Sequence, residues 1–163
     1  MKLTYRPVRA EDVKTICSFP SDAQELYFMF PKAQHPLTED QLAESIAQRF
    51  ESTVVEAEGK VVGFANFYQA QVGGLCCIGN VIVAPQVRGK GVGAFIVETM
   101  TALGFERYDA TEVQLSCFSQ NTVGLLLYPK LGFTPFAIEE RTSVEGSRTA
   151  LIHMTRSRKV PIV

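Results

Sequence analysis

Between Gly79 and Gly93 the chain reads GNVIVAPQVRGKGVG, with Arg88, Gly89, Lys90, Gly91 and Gly93 gathered just ahead of an apolar helical pattern. Cations and glycines at the start of a helix make an anion site. The first N–H groups of a helix have no intrahelical acceptor and sit at the positive end of its dipole, and glycine lets a phosphate approach the backbone closely. A tight connection is the plain alternative, so spacing must discriminate. A Walker A loop needs GxxxxGK[ST], whereas Lys90 is followed by Gly91; a dinucleotide fingerprint needs GxGxxG, which the run does not complete. Nucleotide hydrolysis and dinucleotide redox chemistry lose ground.

Other reactive side chains are sparse. Cys17, Cys76, Cys77 and Cys117 have no CxxC spacing, and three lie in apolar stretches where cysteine acts as a small hydrophobe. Cys76 and Cys77 are adjacent on a strand and point to opposite faces, which disfavours joint ligation of a metal or a disulfide. His35 and His153 are far apart, so no metal site is expected. Ser116 and Cys117 have no Ser-His or Cys-His signature nearby, which speaks against a covalent acyl-enzyme.

Arg88-Gly89-Lys90-Gly91-Val92-Gly93 resembles the acyl-coenzyme A signature [RQ]-x-x-G-x-[GA] of the GNAT superfamily of N-acetyltransferases. A second block, Asn121-Thr-Val-Gly-Leu-Leu-Leu-Tyr128-Pro-Lys-Leu-Gly132-Phe133, resembles that family's N-x-x-[AG]-x-x-x-Y-x-x-x-G-F and follows one strand downstream, as the family order requires. The likeness covers Val61 to Phe133 well and the first fifty residues by general layout.

The resemblance implies acetyl-coenzyme A as cosubstrate, with its pyrophosphate on the N–H groups from Arg88 to Gly93. It also implies a bulged strand whose backbone at Asn80, Val81, Ile82 and Val83 bonds the pantetheine arm and the thioester carbonyl, an oxyanion contact in an acyl transfer. Tyr128 matches the family's general acid for the leaving thiolate, and Asn121 a cofactor-holding position that also reads as a helix N-cap. Pro129 biases Tyr128 away from helical dihedrals and threatens to displace the phenol. The general base is missing. An alkyl ammonium with a pKa of about 10.4 must lose a proton before attack, yet no acid stands between Leu75 and Val83, and Ser116 occupies the position five before the asparagine where some members carry glutamate. Glu25, Glu44 and Glu112 remain, with deprotonation through water as the leading expectation.

The elements that must position these groups follow from the pattern. Leu3 to Val8 reads as an edge strand, Ala10 to Cys17 as a helix, and Ala23 to Met29 as a short helix between Pro20 and Pro31. Tyr27, Phe28 and Phe30 form an aromatic patch that covers the sheet or walls a small-molecule pocket. Thr38 with Gln41 predicts a capping box, followed by an apolar stripe of Leu42, Ala43, Ile46, Ala47 and Phe50. Thr53–Ala57 and Val61–Tyr68 join through Glu58-Gly59 as a hairpin, and Leu75–Val83 delivers the chain to the loop. Glu112–Phe118 is a parallel crossover strand with Val113, Leu115 and Cys117 on one face, and a ligand is expected at its carboxyl end. Thr134–Glu140 and Thr149–Thr155 close as a hairpin, and Arg156 to Lys159 read as a solvated basic end.

The 163 residues, 46% hydrophobic, suit one domain with a sizeable core. A net charge of -1 from 16 basic and 17 acidic residues speaks against a nucleic-acid partner. No apolar run has membrane-spanning length, and Met1 to Tyr5 enters a strand directly, so a cytoplasmic protein without membrane partner is expected. The resemblance implies one α/β (α+β) domain over 1–163. Its sheet is mixed but mostly antiparallel, with six to seven strands flanked by helices and a splay between the fourth and fifth. The expected activity is direct acetyl transfer from acetyl-coenzyme A to an amine through a ternary complex, with a small molecule favoured by the charge and the aromatic region. The alternatives are a non-catalytic acyl-coenzyme A sensor and an acetyltransferase for protein amines. An exposed terminal hairpin leaves room for a homodimer.

Overall fold

In the computed structural model, which describes residues 1–158, two successive antiparallel hairpins bring the chain to the glycine-rich loop. Strand β1 (Leu3–Pro7) leads through a 3-10 turn into helices α1 (Val13–Cys17), α2 (Ala23–Met29) and α3 (Glu39–Gln48). Then come β2 (Phe50–Ala57), β3 (Lys60–Ala70), β4 (Leu75–Val83), α4 (Val92–Arg107), β5 (Glu112–Phe118), α5 (Thr122–Lys130), β6 (Thr134–Thr142) and β7 (Arg148–Ser157). They form one seven-stranded sheet in the order β1-β2-β3-β4-β5-β7-β6, in which only β4 and β5 run parallel. The β2–β3 turn holds Glu58 at φ 53° and Gly59 at φ 77°, the left-handed pair of a two-residue hairpin.

Val54 and Val55 on β2, and Val62 to Phe67 on β3, are buried without alternation, the pattern of strands covered on both faces. Helix α4 covers one face: a Cβ on its Gly104 would lie 3.0 Å from Val113, 3.5 Å from Cys76 and 3.6 Å from Phe67. Helices α1 to α3 cover the other. Thr38 caps α3 as expected, accepting from Gln41 N at 3.3 Å. The Gln41 side chain does not complete the box; it bonds Gln34 N and O and Pro36 O, pinning the loop between α2 and α3. The buried stripe of α3 also differs from the apolar one read in sequence. Ala43 and Ala47 face solvent and Phe50 is exposed, while Leu42 and Ser45 are buried, because the Ser45 hydroxyl donates to Asn80 at 2.9 Å.

β4 and β5 pair only over Leu75–Cys77 with Glu112–Gln114. Beyond that point they part, and the sheet opens as a splay between its fourth and fifth strands. The basic end is not free as read: Arg156 bonds Glu98 at 2.8 Å and Leu131 O at 3.0 Å, and Arg158 pairs with Asp109 and donates to Phe105 O at 2.6 Å; Lys159 lies outside the described residues. Among these, no helix is long and apolar enough to cross a membrane and no group of His, Cys, Asp or Glu could hold a metal.

Candidate active site

β4 carries an extra residue opposite Ala65: Asn66 faces Gly79 while Phe64 faces Ile82. The bulge turns on Asn80, at φ 54° and buried. Asparagine suits this left-handed position, and its side chain locks it. Asn80 Oδ1 accepts from Ser45 Oγ at 2.9 Å and Asn66 Nδ2 at 3.0 Å, and its Nδ2 donates to Met29 O at 3.1 Å. The Asn80 side chain therefore holds the strand to α2, α3 and β3, while its backbone and those of Val81, Ile82 and Val83 lie along the edge that β5 has left. Backbone groups on such an edge have no ladder partner from β5 and are available to a ligand.

At the end of β4, Gly89 (φ 78°) and Gly91 (φ 87°) turn the loop, and Gly91 is the N-cap of α4. Alternating left-handed residues direct successive N–H groups into one concavity, a nest for an anion. Val92, Gly93 and Ala94 add the unpaired N–H groups of a first helical turn. Lys90 is exposed and makes no ion pair among the described residues. Arg88 does: its guanidinium pairs with Glu25 and donates to Val83 O and Phe19 O, each at 3.2 Å. Its side chain ties the loop to the segment before α2, which leaves the backbone N–H groups and Lys90 as the groups of the loop that could meet an anion. The left-handed glycines and the free β4 edge are what a pyrophosphate with an extended amide arm requires.

Asn121 caps α5, accepting from Gly124 N at 3.2 Å. Tyr128 is buried one turn beyond Gly124, and Pro129 falls in the last turn, where the helix still reaches Lys130. The proline therefore does not end α5 before the phenol. Burial pushes the Tyr128 pKa up, with the Cys117 sulfur adding to the rise, so the hydroxyl holds its proton at neutral pH. Tyr128, Cys117 and Asn121 converge on Gly124: a Cβ there would stand 3.0 Å from Tyr128 Cε2, 2.8 Å from Cys117 Sγ and 3.1 Å from Asn121 Nδ2.

The opposite face of the splay is aromatic. Tyr27 stacks on Phe118 with centroids 4.6 Å apart and donates to Thr142 O at 2.5 Å; Phe28 lies 6.1 Å from the same ring. A cleft of about 190 Å³ between α2 and the β6–β7 hairpin, lined by Tyr27, Gln120 and Val144, opens beside them. Phe30 stands apart from this pair, 5.4 Å from the Arg49 guanidinium carbon, which also lies 5.8 Å from the Tyr68 ring. Arg49 donates to Asn66 at 3.2 Å and packs on Gly79, where a Cβ would come within 2.7 Å of it. No carboxylate pairs with Arg49 among the described residues, and desolvation lowers its pKa.

Sequence spacing left Ser116 without a histidine, and the fold supplies one. β5 and β7 pair antiparallel with Ser116 opposite His153, and Ser116 Oγ lies 2.7 Å from His153 Nδ1. His153 Nε2 is 3.4 Å from Glu139 of β6. Strand register, 37 residues apart in sequence, made this contact invisible to spacing. The carboxylates considered as bases are engaged or remote: Glu25 pairs with Arg88, Glu112 accepts from Thr155, and Glu44 is exposed on α3. The four cysteines are free, with Cys77 and Cys117 buried and their thiol pKa values raised by that burial.

Residues 19–133 match the family model described as the Acetyltransferase (GNAT) family. Among solved structures, spermidine N-acetyltransferase from Vibrio cholerae in complex with CoA and spermine superposes with a TM-score of 0.80 at 18% identity, covering 95% of each chain. Ribosomal-protein-alanine N-acetyltransferase from Brucella melitensis gives 0.79 at 20% identity over 95% of this chain and 99% of that one. The Salmonella typhimurium protein yncA with its cofactor acetyl-CoA gives 0.75 at 22% identity over 100% and 98%. These likenesses establish the shared fold, and with the family match across most of the chain, a bulged β4, a left-handed glycine loop at the start of α4 and a splayed β4–β5 edge, the chain belongs to the GNAT acetyltransferase family.

Proposed function

We propose that the chain is an acetyl-coenzyme A dependent N-acetyltransferase that moves the acetyl group directly to a small amine in a ternary complex. The observation that carries this reading is the continuity of the free β4 edge with the glycine loop, two sites that one extended thioester cosubstrate would span. Bound there, acetyl-coenzyme A supplies an activated acetyl carbon, to which a C–N bond forms as the C–S bond breaks. The chain's residues do the rest. The N–H groups from Gly89 to Gly93, with Lys90, hold the pyrophosphate, and Asn121 offers its unused Nδ2. The β4 backbone from Asn80 to Val83 directs N–H dipoles at the carbonyl oxygen as charge develops on it, a preorganised contact worth about 3–4 kcal/mol in other acyl transfers. Tyr128, kept protonated by burial, gives its proton to the departing sulfur.

The acceptor enters from the face of Tyr27, Phe28 and Phe118. Arg49 favours an acceptor with an acidic group, because a half-buried guanidinium without a carboxylate partner gains most from an anion. Exposed Phe136 and Ile138 on β6 mark the surface on which a homodimer would form.

A thiol-release assay with acetyl-coenzyme A against spermidine, glutamate, tyramine and an alanine-terminated peptide tests the reading. Turnover of a small amine supports it, and preference for glutamate over tyramine supports the Arg49 role. Turnover of the peptide alone points to a protein acceptor. Cosubstrate binding without release identifies a sensor, and unchanged turnover in Tyr128→Phe removes the general acid.

A further inference from the structure

We infer that Ser116, His153 and Glu139 form a proton relay that deprotonates the acceptor amine, with His153 as the base and Ser116 as the group that touches the amine. This rests on the acetyltransferase reading above and fills the role for which no carboxylate is placed. The geometry has three parts. First, Ser116 and Cys117 are neighbours on β5 and therefore point to opposite faces. Cys117 packs against Gly124 beside Tyr128, whereas Ser116 shares the face of Phe118, Tyr27 and Phe28. Acid and base thus lie on opposite sides of the strand that borders the opening. Second, Ser116 stands two residues past Gln114, the last β5 residue paired with β4, and so lies where the splay begins.

Third, the hydrogen bonds have a direction. A carboxylate only accepts, so Glu139 at 3.4 Å from His153 Nε2 favours the tautomer with the proton on Nε2. Nδ1 then carries the lone pair, and the Ser116 hydroxyl 2.7 Å away donates to it. The proton inventory closes. The acceptor arrives as an ammonium: one N–H bond breaks as Ser116 Oγ takes the proton and passes its own to Nδ1. The resulting imidazolium faces Glu139 and releases the proton to solvent, for His153 is 28% exposed on its side chain. The nitrogen lone pair then forms the C–N bond. The second proton lost from nitrogen balances the one Tyr128 hands to sulfur, so each turnover releases one proton.

The charged and titratable groups around the imidazole are few. Glu139 and its partner Arg141 face it from β6, Tyr68 and Cys77 face Ser116 from β3 and β4, Glu112 lies further along β5, and Tyr27 of α2 is near Arg141. The Glu139 carboxyl lies below its ordinary range, first through Arg141 and then through His153.

The test uses the full chain and the best amine of the panel above. His153→Gln should lower kcat/KM about 100-fold, at the low end of general-base contributions, leave acetyl-coenzyme A affinity within about twofold, and abolish the acidic limb of the kcat pH profile. Ser116→Ala should do the same, and the double variant should be no worse than either single one. Glu139→Gln should also lower kcat/KM, because the imidazolium formed in the relay loses the anion that faces it. A retained acidic limb in His153→Gln, or multiplicative losses in the double variant, overturns the relay. So does an acetylated Ser116 peptide after incubation with acetyl-coenzyme A alone, which would make the serine a nucleophile. If His153→Gln does not fold, Ser116→Ala decides. No turnover by the wild type with any amine removes the acetyltransferase reading itself, whereas an active wild type with an unchanged variant removes only the relay.

Discussion

Replacing Gly124 by alanine adds one methyl group at the point where the second sequence block converges. That methyl would stand 2.8 Å from Cys117 Sγ, 3.0 Å from Tyr128 Cε2 and 3.1 Å from Asn121 Nδ2, each well inside the roughly 3.5–4.0 Å optimum for non-bonded carbon contact. Three sides are closed, so Tyr128 must move by about half an ångström or β5 must yield. Overpacking of this kind costs about 1–3 kcal/mol, and the helix propensity of alanine returns up to about 1 kcal/mol. The net loss of about 0–2 kcal/mol corresponds to a melting point lower by up to about 8 °C at 2–4 °C per kcal/mol. Activity should suffer more than stability. A displacement approaching 1 Å of a catalytic group costs up to about 100-fold, so kcat should fall about 10- to 100-fold with acetyl-coenzyme A affinity nearly unchanged. Family members carry alanine here as well as glycine, and the obstacle in this chain is the cysteine opposite. Cys117→Ala combined with Gly124→Ala should therefore restore most of kcat, with a coupling of about 0.5–3 kcal/mol between the two sites. The assay is a double-mutant cycle on kcat and melting temperature. Wild-type kcat in Gly124→Ala, or strict additivity in the cycle, would refute the convergence of Cys117, Gly124 and Tyr128 as the device that sets the phenol.

Gly91→Ala places a side chain at φ 87° and costs about 1–2 kcal/mol of backbone strain; calorimetric titration should show weaker acetyl-coenzyme A binding with the acceptor KM unmoved. Asn80→Ala strands the Ser45 hydroxyl and Met29 O in a buried position, while Asn66 keeps its bonds to Ser52 and Arg49; at about 1–3 kcal/mol for each unpaired group, thermal unfolding should begin at least about 4 °C lower, and an unshifted transition would mean that the bulge holds without its side-chain bonds. Burial raises Tyr128 and pushes Cys117 up to about 12. The folded chain therefore binds these protons more tightly than the unfolded one, and stability should be intact below the ordinary thiol and phenol values and fall as pH rises through them toward 12. Denaturant titrations between pH 8 and pH 11 should show a shallower fall for Cys117→Ala, and parallel slopes would count against it.

The parts of the site carried by local sequence were legible. β4 and β5 occupy the spans that apolar patterning predicts, α2 sits between its two prolines, and the glycine loop runs directly into α4 as the helical pattern predicts. What sequence could not carry is register. The bulge at Asn80 has no compositional sign, because asparagine in an apolar strand reads equally well as an interruption; only family resemblance pointed to it. The stripe on α3 could be drawn in two phases, and a polar bond between Ser45 and Asn80 chose the one with a serine inside. Ser116 and His153 meet because β7 inserts between β5 and β6, a crossing that neither strand announces. Arg49, the residue that follows α3, had no signal in the sequence; its setting among Phe30, Tyr68 and Gly79 comes from the fold.

The bulge also joins two tasks that the sequence presents as separate. Asn80 holds Met29 O, the last residue of α2, so the helix bearing Tyr27 and Phe28 hangs from the strand whose backbone we propose meets the thioester. Gly79, one residue earlier, is the floor on which Arg49 rests. On the proposed function, an acceptor that pulls on Arg49 or pushes against the α2 aromatics would act on the Gly79–Asn80 peptide, within two residues of the proposed oxyanion contact. Side-chain bonds through Asn66 and Ser45 make that peptide stiff, and a stiff bulge cannot yield to a poorly seated amine without giving up buried hydrogen bonds. If the proposed function holds, selectivity for the acceptor would follow from the energetics of Asn80 as much as from the pocket wall, since a misfitting amine would lose stabilisation of the developing oxyanion as well as its own contacts.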